Sequence, residues 1–343
     1  MDETSSIGGI DLEALADWMD TQGLPGGAIE RPVLLGGGTQ NILLRFSRGG
    51  RSYVLRRPPP HKRANSDETM RREARVLRAL AGSDVPHPEF IAGCAETETL
   101  GAAFYLMEPI EGFNPSEGLP PLHRDSDEIR HEMGLSMAAA IATLGEIDYR
   151  AVGLEGFGKP EGYLARQTAR WRALLESYDE LEGYPGPEIP GVDTVADWLE
   201  AHLPDDFRPG ILHGDFHGAN VMFAYDGPRL AALVDWELST VGDPLLDLGW
   251  LLATSPDEGG TGVGLSVWPG FPNHAELVAR YAERSTRSLD AISWYEVLAC
   301  YKLGIILEGT HARAFAGKAP KETGDQLHAT TLALFARALA RIA

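Results

Sequence analysis

The tightest constraint on the fold lies between Ile211 and Glu237. There an apolar approach, Ile211-Leu212, delivers the polar run His213-Gly214-Asp215-Phe216-His217-Gly218-Ala219-Asn220, and a second apolar run, Val221-Met222-Phe223, leaves it. The turn-forming Asp226-Gly227-Pro228 then sends the chain back as Ala231-Ala232-Leu233-Val234, which ends on Asp235. Short apolar runs bounded by turn residues read as buried strands. The pattern therefore predicts strand, loop, strand, hairpin-like excursion and returning strand, with Asp215, Asn220 and Asp235 at neighbouring strand ends. One carboxylate able to take a proton, plus an amide and a second carboxylate offering oxygens to a hard cation, is the equipment phosphoryl transfer needs.

The order His213-x-Asp215-x-x-x-x-Asn220 keeps the His, the Asp and the Asn of the protein-kinase catalytic loop, with Gly214 where that loop has Arg. With Asp235 fifteen residues beyond Asn220, the block resembles the aminoglycoside phosphotransferase/choline kinase family. The run from Val234 through Asp243-Pro244 to Asp247 and Trp250, together with Arg166-Gln167 and Arg170-Trp171, narrows the resemblance. It is similar to the branch that includes the kinase-like domain fused to acyl-CoA dehydrogenases, and the likeness spans residues 30–310.

The resemblance implies an α+β, protein-kinase-like two-lobed fold. A small antiparallel-sheet N-lobe is expected over residues 1–108 and a larger, mainly helical C-lobe over 109–343. It implies transfer of the γ-phosphoryl of ATP or GTP, with Mg²⁺, to a hydroxyl of a small-molecule acceptor. Asp215 is the expected catalytic residue, orienting and deprotonating that hydroxyl, and Asn220 and Asp235 are the expected metal ligands. His213 is expected to be structural, and Asp247 to brace the backbone of the catalytic loop.

Length and charge agree with this reading. A chain of 343 residues exceeds the usual single-domain size. A net charge of −20 argues against nucleic acid or an anionic membrane as partner, because either polyanion would be repelled. It suits a cationic acceptor, although acidity spread along the chain also serves solubility. Cys94 and Cys300 match no metal-ligand spacing and read as buried thiols. No basic start precedes an apolar stretch and no apolar run approaches a membrane span, so a cytoplasmic location is expected.

In the N-terminal part, a helix is predicted over 11–20 and strands over 33–35, 42–46 and 52–56. Between the first two strands, Gly38, Thr39 and Asn41 belong to a glycine-rich loop whose backbone N–H groups could approach phosphate oxygens. A plain turn has the same composition. Laid against the kinase V-A-I-K strand, Val54 falls on the residue facing adenine and Arg56 on the lysine. Arginine clamps phosphates bidentately and is not a conservative swap for lysine; a solvent-facing arginine at a strand end is the simpler alternative. Residues 66–81 predict an amphipathic helix with Met70, Ala74, Leu77 and Leu80 buried. Glu73, at the edge of that stripe, resembles the helix glutamate that pairs with the third-strand cation; it could equally be a surface partner of neighbouring arginines. A strand over 103–108 leads to a hinge at 108–112, which places Met107, Glu108 and Ile110 at the nucleotide base by resemblance.

Helices are predicted over 126–147, 160–182 and 196–203, then from an Asp243 N-cap with Pro244 at the first position. A long loop over 254–273 and helices over 274–286, 290–310 and 322–342 complete the chain. Trp294, Tyr301, Glu308 and His311 could line an acceptor cavity, although core packing explains Trp294 and Tyr301 as well. Two rival functions remain. Gly214-Asp215-Phe216-His217-Gly218 resembles a metallophosphoesterase signature, but the Gly-Asn-His that should follow is nowhere in the chain. A nucleotide-binding module that transfers no phosphate is the other, suggested by Arg56.

Overall fold

Consecutive short strands rich in apolar residues pair antiparallel into a five-stranded sheet. The structure is a computed structural model that describes residues 6–36, 41–256 and 268–343. A two-residue ribbon, β1 (Ser6–Ile7) and β2 (Ile10–Asp11), precedes α1 (Leu12–Thr21), whose first turn is capped by the Asp11 carboxylate. The sheet comprises β3 (Glu30–Leu35), β4 (Ile42–Arg48), β5 (Arg51–Arg57), β6 (Phe90–Cys94) and β7 (Phe104–Met107), in the order β3-β4-β5-β7-β6. Leu44, Phe46, Tyr53 and Leu55 share a core with Ile10, Leu15, Met19 and Phe104. Because side chains alternate across a strand, Val54 and Arg56 point to the opposite face. Their partners across the ladder are Met107 and Tyr105, so all four occupy one side of the sheet.

The helix α2 (Ser66–Leu80) buries the predicted stripe of Met70, Ala74, Leu77 and Leu80, and with it Glu73 and Val76. These elements form one compact unit, Met1–Gly112, which also takes in Arg150–Leu154 and Ala231–Ser239. The last of these segments is tied in by Leu233 N–H to Pro86 O (2.9 Å) and by Arg72 Nη2 to Ser239 O (3.1 Å).

The second unit comprises Phe113–Tyr149, Glu155–Leu230 and Thr240–Ala343. Its helices are α3 (Pro121–Arg124), α4 (Asp127–Glu146), α5 (Ala165–Glu176), α6 (Val192–Ala201), α7 (Leu245–Thr254), α8 (His274–Ala282), α9 (Ile292–Phe315) and α10 (Lys321–Ile342). Interspersed are β8 (Gly210–Leu212), β9 (Val221–Phe223) and β11 (Thr240–Gly242), while β10 (Leu230–Leu233) runs across the division of the chain. The helix α9 is buried along most of its length, including Trp294, Tyr295, Leu298, Tyr301 and Ile305. Gly249 on α7 sits against it: a Cβ there would come within 2.5 Å of the Tyr295 carbonyl oxygen. Only glycine lets these two helices approach so closely.

The α+β class is as expected, and several helix ends differ. The helix predicted from 160 starts at Ala165, after Pro160 and the left-handed Gly162, and tightens to a 3-10 turn at Ser177–Glu180. The helix predicted from 196 starts four residues earlier, at Val192, behind Gly191 at φ 75°. Pro244, not Asp243, is the residue before the first turn of α7; the Asp243 carboxylate still accepts from Leu245 N–H at 3.0 Å. Most of the predicted 254–273 loop lies outside the described residues. Cys94 and Cys300 are free and buried. Among the described residues no helix is long and apolar enough to cross a membrane.

Candidate active site

The loop between β8 and β9 is built by its own backbone and one buried carboxylate. The strand β8 pairs antiparallel with β11, Leu212 opposite Thr240. Directly after it, the Asp247 carboxylate on α7 accepts His213 N–H at 2.6 Å and Gly214 N–H at 2.9 Å. Gly214 has φ 89°, a conformation that favours glycine and explains why this residue type stands there. Burial pushes the Asp247 carboxyl upward, opposed by His213 and the two backbone donors. His213 itself is fully buried.

Beyond Asp215 the chain closes a 3-10 turn at Gly218–Asn220. Asn220 Nδ2 donates to the Asp215 carbonyl at 2.9 Å and to Asp215 Oδ2 at 3.2 Å. His217 Nε2 lies 3.5 Å from the same carboxylate oxygen. Burial alone would raise the Asp215 carboxyl. Its bond to His217 and the charges of His217, His213 and Lys302 outweigh that and hold it below the usual carboxylate range. The pair is thus an ionised carboxylate oriented by an amide. With Asn220 Nδ2 committed to Asp215, Oδ1 is what that amide has for a cation.

In the other unit, Arg56 organises a second cluster. Its Nε lies 2.8 Å from Glu73 Oε2 and its Nη2 lies 2.7 Å from Asp235 Oδ1. Tyr105 donates to Glu73 Oε2 at 2.8 Å. Glu73 is 0% exposed, which removes the surface-partner reading, and Arg56 is not a solvent-facing strand end. Glu73, Asp235 and Glu237 bring carboxylate oxygens within 4.8 Å of one another. Burial, with Asp235 and Glu237 adding to it against the pull of Arg56 and Tyr105, lifts the Glu73 carboxyl to about 7. Carboxylate oxygens are the hard donors that Mg²⁺ takes. Asp235 adopts φ 65° and ψ 65°, a left-handed conformation for a residue with a side chain. Strain of this kind, on the order of 1–3 kcal/mol, persists where the surroundings over-determine it. Here the next residue supplies the anchor: Trp236 is buried and donates Nε1–H to Leu233 O at 3.0 Å.

The remaining expected residues divide. Val54 is buried and Met107 is partly covered, facing the same side as Arg56. Glu108 N–H is taken by Glu89 O at 2.9 Å, so it cannot donate to a base without breaking that bond; its carboxylate pairs with Arg51 at 2.7 Å. Ile110 and Asn41 are partly buried, and Gly38 and Thr39 lie outside the described residues. Trp294 and Tyr301 are core residues. The buried Glu308 carboxylate is occupied by Tyr184 and His328, each at 2.7 Å, and His311 stacks on His328 at 4.3 Å. Two participants were not anticipated. Tyr105 is marked only by its alternation with Met107 along β7. Lys302 is marked only by being a lone lysine in an apolar helix.

Acyl-CoA dehydrogenase family member 11 of Gallus gallus is 30% identical over 305 residues, covering 84% of this chain but only 37% of that protein. The chain thus spans about a third of the length of this curated relative. A crystal structure from Ralstonia eutropha, of a protein classed with the aminoglycoside phosphotransferases, is 29% identical with a TM-score of 0.78, covering 96% of this chain and 99% of that one. The GDP complex of aminoglycoside 2'-phosphotransferase-IIIa shares the fold at 14% identity, with a TM-score of 0.62 over 97% of this chain and 99% of that one. Residues 29–294 match the APH phosphotransferase enzyme family, and the chain belongs to that family.

Proposed function

We propose that this chain is a small-molecule kinase that transfers the γ-phosphoryl of ATP or GTP to a hydroxyl. The observation that carries the reading is the Asp215–Asn220 pair on a loop pinned by Asp247. An ionised carboxylate held in one orientation can take the acceptor's proton as its oxygen attacks phosphorus. Arg56, on the sheet face it shares with Val54 and Met107, supplies the positive charge for phosphate oxygens, and Glu73 fixes the orientation of its guanidinium. Val54 and Met107 offer the apolar surface for a base. Asn220 Oδ1 and the Asp235 carboxylate are each an oxygen donor that would serve Mg²⁺, which when bound neutralises charge on the phosphates. Rate acceleration then comes from positioning and fixed charge, with no covalent enzyme intermediate.

The acceptor we place first is a hydroxyl-bearing metabolite, with hydroxyacyl-CoA thioesters ahead of aminoglycosides and amino alcohols. The support is likeness to a chain whose name includes acyl-CoA dehydrogenase, and fold alone does not fix substrate. The test is transfer of labelled γ-phosphate from Mg·ATP and Mg·GTP across those acceptor classes, with Asp215→Ala as blank. Expected is transfer to one class and a loss on the order of 10²-fold or more in the variant, with nucleotide binding retained. Tight Mg·ATP binding with no acceptor labelled would instead favour a nucleotide-binding module, the reading that arginine at position 56 invites.

A further inference from the structure

Lys302 stands on α9 where an apolar side chain would satisfy the packing. Its ammonium lies 4.2 Å from the centre of the Trp250 ring and 5.4 Å from that of Trp171. Nζ donates to the Gly214 carbonyl at 3.2 Å. A cation partly covered between two indoles is costly to desolvate, and cation–π contacts offset only part of that cost. Its one hydrogen bond to the loop falls at a telling place. The Gly214 N–H is held by Asp247 at 2.9 Å and its C=O by Lys302, so this left-handed residue is clamped from both sides. The peptide unit so fixed is the one from which Asp215 departs.

We propose that Lys302 is a positioning residue for Asp215, its ammonium locking the Gly214 carbonyl and so fixing the direction in which the Asp215 carboxylate projects. This rests on the reading of Asp215 as the group that takes the acceptor's proton. The charged groups facing Lys302 are Asp215 from the loop and Asp247 from α7, which favour the ammonium, and Arg170 from α5, which opposes it. His213 faces the same two carboxylates. Burial outweighs the carboxylates and brings Lys302 down to about 8. Above that pH the ammonium becomes an amine, and the cation–π hold and the charge-assisted part of the carbonyl bond go with it.

Lys302 is one of five lysines, so its ¹³Cε resonance can be assigned by difference with Lys302→Met. In the full chain, the Lys302 ¹³Cε signal and the Asp215 amide ¹⁵N signal should titrate together near pH 8. The Asp215 step should vanish in Lys302→Met. Release of phosphate from Mg·ATP in water, without any acceptor, should fall above the same pH in the wild type. In Lys302→Met it should be lower at neutral pH, on the order of 10²-fold, and lack that alkaline limb. The melting temperature of the variant should hold or rise, since a partly desolvated charge is replaced by an apolar chain of similar length. An Asp215 amide that does not follow Lys302 overturns the proposal, as does a Lys302→Met protein with the wild-type rate and pH profile. Failure of the underlying reading looks different: Asp215→Asn would then release phosphate as fast as the wild type.

Discussion

Arg56 Nη2 lies 2.7 Å from Asp235 Oδ1, an ion pair between residues 179 apart in sequence. The same guanidinium reaches Glu73 through Nε at 2.8 Å, so one planar group joins a strand, a helix and the segment after β10. Lysine's ammonium is a point charge without the planar fork that spans both carboxylates. Arg56→Lys should therefore fold but bind Mg·ATP at least about tenfold more weakly, roughly 1.4 kcal/mol, measured by calorimetry. Arg56→Met should cost more. It strands the buried Glu73, and breaking a buried pair costs about 3–5 kcal/mol. Only the Glu73 half counts toward that figure, because the Asp235 side chain is 40% exposed.

Glu73 makes stability depend on pH in an unusual direction. Its carboxyl is lifted by burial from 4.5 to about 7, so between those values the folded chain binds more protons than the unfolded one. Stability from this group is full below pH 4.5 and is lost as pH rises through about 7. The loss amounts to about 3 kcal/mol at most. Melting temperatures of wild type and Glu73→Gln across this window should show a wild-type decline that the variant lacks; parallel curves would refute the assignment.

Asp247 accepts two backbone N–H groups with two oxygens. Asparagine has one acceptor oxygen and turns an NH₂ toward the second donor. Asp247→Asn should therefore lower stability by about 1–3 kcal/mol, the cost of leaving a buried donor unsatisfied. If the loop aims Asp215 as proposed, the variant should also lower kcat more than it raises KM. Denaturant melts give the first quantity and steady-state transfer kinetics the second.

Much of the fold was legible because local patterns write it directly. Short apolar runs bounded by turn residues marked the strands of the sheet, and the stripe Met70-Ala74-Leu77-Leu80 marked α2. The loop's local geometry was legible too, since His213, Asp215 and Asn220 lie within eight residues of one another and Asn220 closes back on Asp215. Helix ends were less so. At Ala165 and Val192 the start was set by a left-handed glycine just upstream, whose conformation a sequence permits but does not demand.

The sequence alone marked the strand–loop–strand run at 211–223 and the helical stripes, and the resemblance of its 213–247 block to a known family implied an α+β fold with candidate ligands at 220 and 235. Tertiary structure decided what those side chains meet. Whether Glu73 was a surface acid or the buried partner of Arg56, and whether Lys302 was a stray charge or a clamp on Gly214, depended on contacts between distant segments. The physical reason is that a charge has no role until its surroundings are set: burial removes the water that would screen it, and only packing chooses the partner that replaces that water.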